Sequence, residues 1–392
     1  MLIRFLICLL LSTAALAQPT APKPYSQRMA DAFLRWYPDS LGLAQNKAAR
    51  WGYEQGLMLL AIEQVAQRTG LPRYHDYVVR TLDYSLPGDG TILGYKAEDY
   101  NLDNINTGRV LLALGRAPGP RQTVYRQAAQ LLHQQLTKQP HTSEGGYWHK
   151  KKYTSQMWLD GLYMAEPFAA EYSQVFQEPA GFDHVAQQFA LVEKHLVDPK
   201  TGLLYHGWDE SHAQQWANPS TGQSPSFWSR GMGWYAMALV DMLDYFPKNH
   251  PQRAQLVKYL QRLAPVLARY QDAKTGCWFQ VTDQGQRAGN YVEASGSCMF
   301  VYALAKGVRL GCLDKKYAAV AKQGYAGILQ QFVQTEPDGS LALTGTVSVG
   351  GLGGSPYRDG SYEYYLSEPL KKNDFKGVGP FIMASLEMEA AR

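Results

Sequence analysis

Two aspartates stand at the starts of successive helices that the sequence predicts, Asp103 in LDNINTGR and Asp160 in QMWLDGLYMAEPFAAEY. Apolar residues recur at helical spacing through the second segment, which predicts a helix capped by Ser155 with a carboxylate on its apolar face. A pair of carboxylates suits glycosidic chemistry, in which one donates a proton and the other handles water or charge. The alternative for each aspartate is a structural role as a helix cap.

A general acid must hold its proton near neutral pH, and two effects oppose each other at Asp160. The N-terminus of a helix favours the ionised form of a carboxyl. Burial among Trp158 and Trp228, together with a negative charge on Asp103, favours the protonated form and can raise a carboxyl pKa by several units. We expect burial to dominate and to raise the pKa of Asp160.

Polar and aromatic residues cluster near the predicted starts of the other helices, where they could line one cavity. These residues are Tyr53, Asn104, His149, Lys150, Tyr153, His206, Trp208, Trp228, Arg230, Trp234 and Glu293. Flat aromatic faces with polar edges suit sugar rings. Arg230 beside Trp228 can present two donors to a carboxylate, which implies an acidic sugar. The three lysines 150–152 are equally typical of a solvated loop.

The histidines show no metal-binding spacing. His149, His206 and His212 form neither an HExxH pattern nor a pair four residues apart with a carboxylate partner, so we predict no metal site and no other cofactor. A structural role is the alternative for each histidine, and His206 is the best candidate to contact a substrate. The glycine-rich stretch 345–360 is not followed by the helix of a phosphate-binding loop, and it predicts a mobile lip over the cavity.

Turn signals return along the chain about every 55 to 75 residues, which is typical of a repeat architecture. An amphipathic helix precedes each turn, and a helix rich in small and apolar residues follows it. The predicted outer helices are Tyr25–Tyr37, Arg73–Ser85, Arg121–Lys138, Phe182–Leu196, Gln252–Tyr270 and Lys315–Val333, and the inner helices start near Trp51, Asn104, Gln156, Gly231, Glu293 and Gly377. Six pairs that must bury both flanks predict one all-α domain over residues 18–392, an (α/α)6 barrel with its aromatic turns at one end.

Residues 1–17 are typical of a secretory signal peptide, with Arg4, an apolar run and a small-x-small cleavage site at residues 15–17. We therefore expect an exported protein, periplasmic or secreted. Cys277, Cys298 and Cys312 form no disulfide framework and are predicted to be small core residues. A net charge of +4 gives no support to a nucleic-acid partner, and no later segment predicts a membrane span. The oligomeric state stays open.

Several stretches in order resemble family 105 of the glycoside hydrolases, the unsaturated rhamnogalacturonyl hydrolases. They include HKKKYTSQMWLDGLYMAEPFAAEY, TGLLYHGWDES, SFWSRGMGWYAMALVDML and GSYEYYLSEP, and together they cover nearly the whole chain after residue 17. The family fold is an (α/α)6 barrel, in agreement with the repeat count. One position departs from a fixed pattern: Met232 lies where the RGMGW motif varies between relatives, which leaves the preferred leaving sugar open.

The resemblance implies an acidic oligosaccharide that a pectin lyase has left with a terminal 4,5-unsaturated galacturonic acid. Such enzymes protonate the vinyl ether at C4 and add water at C5, and the hemiketal then opens and releases the rest of the chain. The family's acid/base residue matches Asp160, and its second aspartate matches Asp103. Its substrate contacts match Tyr53, His149, Lys150, Tyr153, His206, Trp228, Arg230 and Trp234.

Two alternatives remain at this stage. The first is an unsaturated glucuronyl hydrolase acting on glycosaminoglycan or ulvan fragments, which would use the same types of site residue. The second is a non-catalytic binder of acidic oligosaccharides that has kept the aromatic cleft, although the presence of both aspartates favours an enzyme. A barrel of this kind hosts several chemistries, so the fold alone does not choose between them.

Overall fold

The computed structural model describes residues 23–39, 41 and 51–391. Outer and inner helices alternate along the chain. The outer helices are α1 (Tyr25–Trp36), α3 (Pro72–Asp83), α5 (Gln122–Leu136), α7 (Ala180–Leu196), α9 (Arg253–Tyr270) and α11 (Tyr317–Gln331). The inner helices are α2 (Tyr53–Thr69), α4 (Gly108–Gly115), α6 (Leu159–Phe176), α8 (Ser229–Met242), α10 (Ala294–Arg309) and α13 (Phe375–Ala390). The predicted leader, residues 1–17, lies outside the described residues.

The inner helices form a closed ring. Each packs against the next, in the order α2, α4, α6, α8, α10 and α13, and α13 returns to pack against α2. The ends of the described chain meet there, since Ser26 Oγ in α1 donates a hydrogen bond of 2.6 Å to Glu389 Oε2 in α13. One apolar core runs from Met29 to Ala384. The predicted (α/α)6 barrel is therefore confirmed.

The sequence difference between the two sets of helices follows from burial. Every residue of α8 is buried, and this helix consists largely of small and apolar residues. An outer helix such as α9 buries only one stripe of apolar residues and exposes its charges. A helix that is apolar on all sides must be covered on all sides, which is what the ring provides.

The repeated turns bring each outer helix back to the next inner helix. In two of them an aspartate closes the turn: Asp198 Oδ2 accepts a hydrogen bond from the backbone N–H of Thr201, and Asp272 Oδ2 accepts one from Thr275, each at 2.8 Å. Gly202 follows with φ of 75°, a conformation that glycine adopts without strain. The predicted turn signals thus correspond to real turns.

Short antiparallel strand pairs lie at the end of the ring where the inner helices begin. The pairs join β1 (Gln156–Trp158) to β2 (Gly207–Asp209), β3 (Val333–Thr335) to β4 (Leu341–Leu343), and β5 (Thr346–Val347) to β6 (Leu370–Lys371). A short helix, α12 (Tyr362–Ser367), follows the glycine-rich stretch. The three predicted core cysteines are buried and free. In the described part of the chain, no helix is both long and apolar enough to cross a membrane.

Candidate active site

Asp160 lies in the first turn of α6, and a strand pair brings a histidine to it. β1 pairs with β2 in a register that sets Trp158 opposite Gly207, and the backbone N–H of Leu159 donates to the carbonyl of His206 at 3.0 Å. His206 Nε2 consequently lies 2.9 Å from Asp160 Oδ2. Asp160 and His206 thus form a pair, with His206 completely buried and the Asp160 side chain 14% exposed.

The predicted cap of this helix is wrong. Ser155 precedes β1 with φ of 62°, and the residue at the cap position is Trp158, whose side chain makes no capping hydrogen bond. The helix therefore starts three residues later than predicted, because residues 156–158 are extended and pair with β2. The pairing of this strand with β2 places Asp160 beside His206.

The prediction for the proton affinity of Asp160 is also wrong. Burial does raise the pKa of Asp160, and it is the largest single influence, but His206 lowers the pKa through its charge and its hydrogen bond. The sum leaves the pKa of Asp160 below its ordinary value. The nearby Asp103 raises it, as predicted, and His149 lowers it. Sequence reasoning expected His206 to contact a substrate but did not place it at hydrogen-bond distance from Asp160, so its effect on this pKa was left out.

Asp103 lies in a 3-10 turn, Leu102–Asn104, just before α4 and next to α6. Lys150 Nζ forms an ion pair with Asp103 Oδ2, and His149 Nε2 lies 3.3 Å from Oδ1. Burial raises the pKa of Asp103, but the charges of Lys150 and His149 outweigh it and hold the pKa well below its usual range. The ionised form of Asp103 is thus favoured beside Asp160. His149 and Lys150, which were predicted to contact the substrate, pair with Asp103 in the structure, and their contact with a substrate stays a prediction.

His206 has a second partner that sequence reasoning missed. Tyr365 in α12 places its hydroxyl 2.7 Å from His206 Nδ1, and both side chains are completely buried. Burial, with smaller contributions from Tyr364 and Asp160, raises the pKa of Tyr365 well above its usual value, so the hydroxyl keeps its proton. Nδ1 is its only acceptor in the described part of the chain. In the neutral form of the ring, a hydroxyl that donates to Nδ1 leaves the hydrogen on Nε2, facing Asp160.

Trp228 and Arg230 form one wall with the lip, residues 345–360. Trp228 stacks on Tyr365 with ring centroids 5.7 Å apart, and the Arg230 guanidinium lies 4.7 Å from the Trp228 ring. Arg230 is 1% exposed, and its Nη1 donates to the backbone carbonyl of Val347 at 2.5 Å. Its Nε has no partner among the described residues. Arg230 thus anchors the lip, and its predicted contact with a substrate carboxylate stays a prediction.

The lip approaches the wall closely. A Cβ atom at Gly350 would lie 2.4 Å from the Trp228 ring, so a side chain at this position would collide with the indole. Glu293, which we expected in the cavity, is completely buried and instead caps α10, accepting from the backbone of Gly296 at 2.7 Å and of Val347 at 3.0 Å. The lip is placed over the site as predicted, while its mobility stays a prediction.

Tyr53 and Trp234 pack against each other near the carboxylates. The Tyr53 ring meets Trp234 edge-on at 6.1 Å, and Trp234 stacks on Tyr163 at 4.7 Å. Trp234 is 1% exposed, and the Tyr53 ring packs against it. Tyr53 is coupled to the site electrostatically, since burial and the charges of Glu54 and Asp103 raise the pKa of its hydroxyl well above the usual value. Trp208, also expected in the cavity, instead stacks on His195 at 3.7 Å.

A ladder of stacked rings leads outward from the carboxylates. His149 stacks on Trp158 at 4.9 Å, and Trp158 stacks on Tyr153 at 4.5 Å. The Tyr153 hydroxyl accepts a hydrogen bond of 3.0 Å from Arg358 in the lip. Arg358 is the second residue that sequence reasoning missed, and its position as the one cation in the glycine-rich stretch 345–360 was the signal that could have found it.

The arrangement suits proton transfer to an anionic substrate. Asp160 Oδ1 accepts no hydrogen bond from a described residue and is free to face a ligand, while Oδ2 is held by His206. Lys150 supplies a positive charge, and the rings supply flat faces for a sugar. The described residues contain no group of three histidine, cysteine or acidic side chains placed to hold a metal ion.

Comparison with known proteins connects this geometry to a family. The profile of Glycosyl Hydrolase Family 88 matches residues 25–391. A solved glycoside hydrolase from family 105 of C. acetobutylicum ATCC 824 is 44% identical, with a TM-score of 0.89 over 94% of this chain and 100% of that one. The chain belongs to the superfamily of glycoside hydrolase families 88 and 105.

Two curated relatives extend the comparison. Protein Atu3128 of Agrobacterium fabrum is 42% identical over 230 residues, which are 57% of this chain and 97% of that protein. The unsaturated rhamnogalacturonyl hydrolase YesR of Bacillus subtilis is 26% identical over 298 residues, 74% of this chain and 78% of that protein. The resemblance to family 105 is thereby confirmed.

Proposed function

We propose that this family member removes a terminal 4,5-unsaturated galacturonic acid from rhamnogalacturonan oligosaccharides produced by pectin lyases. The observation that carries the proposal is the pair Asp103 and Asp160, one fixed as an anion by Lys150 and the other held by a single histidine with one oxygen free. The relative named as an unsaturated rhamnogalacturonyl hydrolase supports the choice of substrate.

In the proposed reaction, Asp160 delivers its proton from Oδ1 to C4 of the unsaturated sugar. Positive charge then develops at C5, and water adds there. The resulting carboxylate of Asp160 can take the proton that this water loses. The product is a hemiketal, which opens and releases the rest of the chain. Asp103 stays ionised and accepts hydrogen bonds from sugar hydroxyl groups or from the attacking water.

Substrate binding has to change the proton affinity of Asp160. His206 holds the pKa of Asp160 below the ordinary value against the effect of burial, so little of it is protonated near neutral pH. A bound uronate adds a negative charge and displaces water, and both effects raise the pKa of a carboxyl. Binding of the substrate thus favours the protonated form of Asp160, which the reaction needs.

The experiment follows the ultraviolet absorbance of the unsaturated uronate. Purified protein is mixed in parallel with lyase-digested rhamnogalacturonan, galacturonan and glycosaminoglycan, and the rhamnogalacturonan fragments should lose absorbance fastest. Equal or faster loss on glycosaminoglycan disaccharides would reassign the protein to the unsaturated glucuronyl hydrolases. Absence of loss on all three, with binding retained, would indicate a non-catalytic binder.

Export is a further part of the proposal. The segment that resembles a signal peptide lies outside the described residues, so its support is the pattern of residues 1–17 alone. We expect the full-length protein to appear in the periplasm or medium as a species shortened by about seventeen residues. Mass spectrometry of the mature N-terminus checks the position, and an uncleaved cytoplasmic protein would contradict it.

A further inference from the structure

A cavity of about 730 Å³ is lined by residues of the lip, of α12 and of the segment 152–156 that leads into α6. Its polar lining includes Lys152, Tyr153, Gln156, Gln214, Arg358 and Glu368. We propose that this lip groove binds the part of the oligosaccharide beyond the leaving sugar and selects a chain that carries a second acidic sugar. The inference rests on the proposed function, because it extends the same site to longer substrates.

A stack of aromatic rings connects the carboxylates to the groove. His149 lies 3.3 Å from Asp103, and the stacked rings of His149, Trp158 and Tyr153 then run outward to the groove, where Tyr153 forms part of the lining. A chain leaving the catalytic centre along this aromatic wall would enter the groove directly. The volume is within the range of pockets that hold small organic ligands, roughly 300 to 1,000 Å³, and is sufficient for more than one sugar.

The groove also contains a buried polar group with an unused donor. Gln156 is 2% exposed, and its Oε1 accepts a hydrogen bond of 3.1 Å from the Trp158 indole. This contact fixes the amide, and its Nε2 has no acceptor among the described residues. A buried amide held in this way offers a fixed donor to a sugar hydroxyl, because leaving it unpaired costs free energy.

Two cations give the groove its charge preference. Arg358 is immobilised by hydrogen bonds from Nε to the Gly353 carbonyl at 2.8 Å and from Nη2 to Tyr153, while Nη1 donates to no described residue. Lys152 lines the same cavity and makes no ion pair with a described residue. Glu368 is the one acidic residue among those that line the groove. A preorganised guanidinium with a free donor suits a carboxylate, whereas neutral sugars need no such charge.

The neighbouring lysine provides a matched control. Lys151 belongs to the same run of three lysines, but its Nζ lies 3.4 Å from the Glu98 carbonyl and 5.8 Å from the Tyr100 ring, and it does not line the groove. Removing the charge of Lys151 therefore changes the net charge of the protein by the same amount as removing that of Lys152, without changing the groove.

The test compares kcat/KM on two substrates with the same unsaturated end, a disaccharide and a tetrasaccharide with a second uronate. Wild-type protein should prefer the tetrasaccharide. Arg358→Gln and Lys152→Gln should each lower the ratio of tetrasaccharide to disaccharide kcat/KM by about tenfold, the effect of one lost charge-assisted hydrogen bond. Lys151→Gln should keep the wild-type ratio. A wild-type ratio near one, or unchanged ratios in both groove variants, would overturn the inference.

A binding measurement separates this inference from the proposed function. If wild-type protein cleaves neither substrate, the proposed function fails. Calorimetry with an acidic tetrasaccharide that lacks the double bond then measures whether the groove binds an acidic sugar. Binding that weakens about tenfold in Arg358→Gln and Lys152→Gln, but not in Lys151→Gln, supports the groove as an acidic-sugar site. Equal binding by all variants, or no binding by wild-type protein, would refute it.

Discussion

Two aspartates in the barrel, Asp241 and Asp160, differ in how many protein groups contact them. Near the C-terminal ends of α8 and α10, Asp241 is completely buried and is surrounded by Arg109 of α4 at 2.9 Å, Lys306 at 2.7 Å and the Tyr302 hydroxyl at 2.6 Å. At the starts of the inner helices, Asp160 has one strong partner and is 14% exposed. Both oxygens of Asp241 lie within ion-pair distance of protein cations, whereas Asp160 leaves one oxygen for a ligand.

This difference assigns the two aspartates different roles: Asp241 stabilises the fold, and Asp160 is available for proton transfer. Burial raises the pKa of Asp241, but Lys306 and Arg109 outweigh it and leave the pKa below the ordinary value. The group joins α4, α8 and α10 and has no free position for a substrate. Removing one member of such a buried set leaves uncompensated charge, whereas changing Asp160 mainly removes a reactive oxygen. The four predictions below test this contrast.

The largest expected effect is on catalysis. Asp160→Asn keeps the shape of the side chain but cannot deliver a proton, so kcat should fall by about 10² to 10⁴ while the substrate still binds. Steady-state kinetics and calorimetry with the substrate measure the two quantities. A variant that kept a tenth or more of the wild-type kcat would remove Asp160 from the role of acid.

Asp241→Asn should instead destabilise the fold, by about 3 to 5 kcal/mol, because Arg109 and Lys306 lose a buried partner. Urea unfolding measures the change. Since the folded pKa of Asp241 is below its unfolded value, its stabilisation is fully present above the unfolded pKa and is lost as the pH falls through the folded pKa. The difference between variant and wild type should therefore shrink in acid; a constant difference would show that charge is not its origin.

Tyr365→Phe should lower kcat by about tenfold and leave KM unchanged, because His206 loses the donor that fixes its tautomer. Nitrogen NMR of the His206 ring should show the hydrogen on Nε2 in wild-type protein and a mixture in the variant. Tyr362→Phe is a suitable control, since its hydroxyl donates to the carbonyls of Arg287 and Ala288, away from the carboxylates. Equal losses in both variants would indicate a general effect of weakening α12.

The smallest effect is a shift in pH dependence. Asp103→Asn removes a negative charge that raises the pKa of Asp160 and leaves Lys150 without its partner. Both changes lower the pKa of Asp160, so the basic limb of the kcat profile should move to lower pH. The double variant with Asp160→Asn should lose less than the product of the single losses. A shift to higher pH would mean that Asp103 does not act on Asp160 by its charge.

The sequence was sufficient for the ring because the ring depends on local patterns. Helical spacing, small residues in the inner helices and turn signals act within about twenty residues, and the predicted helices agree with the observed ones to within a few positions. The largest differences fall at α4 and α6. There a 3-10 turn and the strand β1 occupy the predicted first turns, since pairing with another segment overrides local helix preference.

The electrostatics of the site depend on contacts between distant segments and could not be predicted in this way. Tyr365 is 159 residues from His206, and Arg358 is 205 residues from Tyr153. No periodicity links such positions. The aspartates could be recognised because each opens a helix, but the sign of the Asp160 pKa shift required the position of His206, which only the pairing of β1 with β2 supplies.

The closure of the ring by α13 has a consequence for biosynthesis. The helix that packs against both α10 and α2 is the last of those described to leave the ribosome, and the hydrogen bond from Ser26 to Glu389 joins positions 363 residues apart. The ring cannot close until this helix has been synthesised, and contacts so distant in sequence slow folding. Until then the apolar flanks that α2 and α10 turn toward α13 have no partner in the ring, and surface of this kind is prone to aggregate.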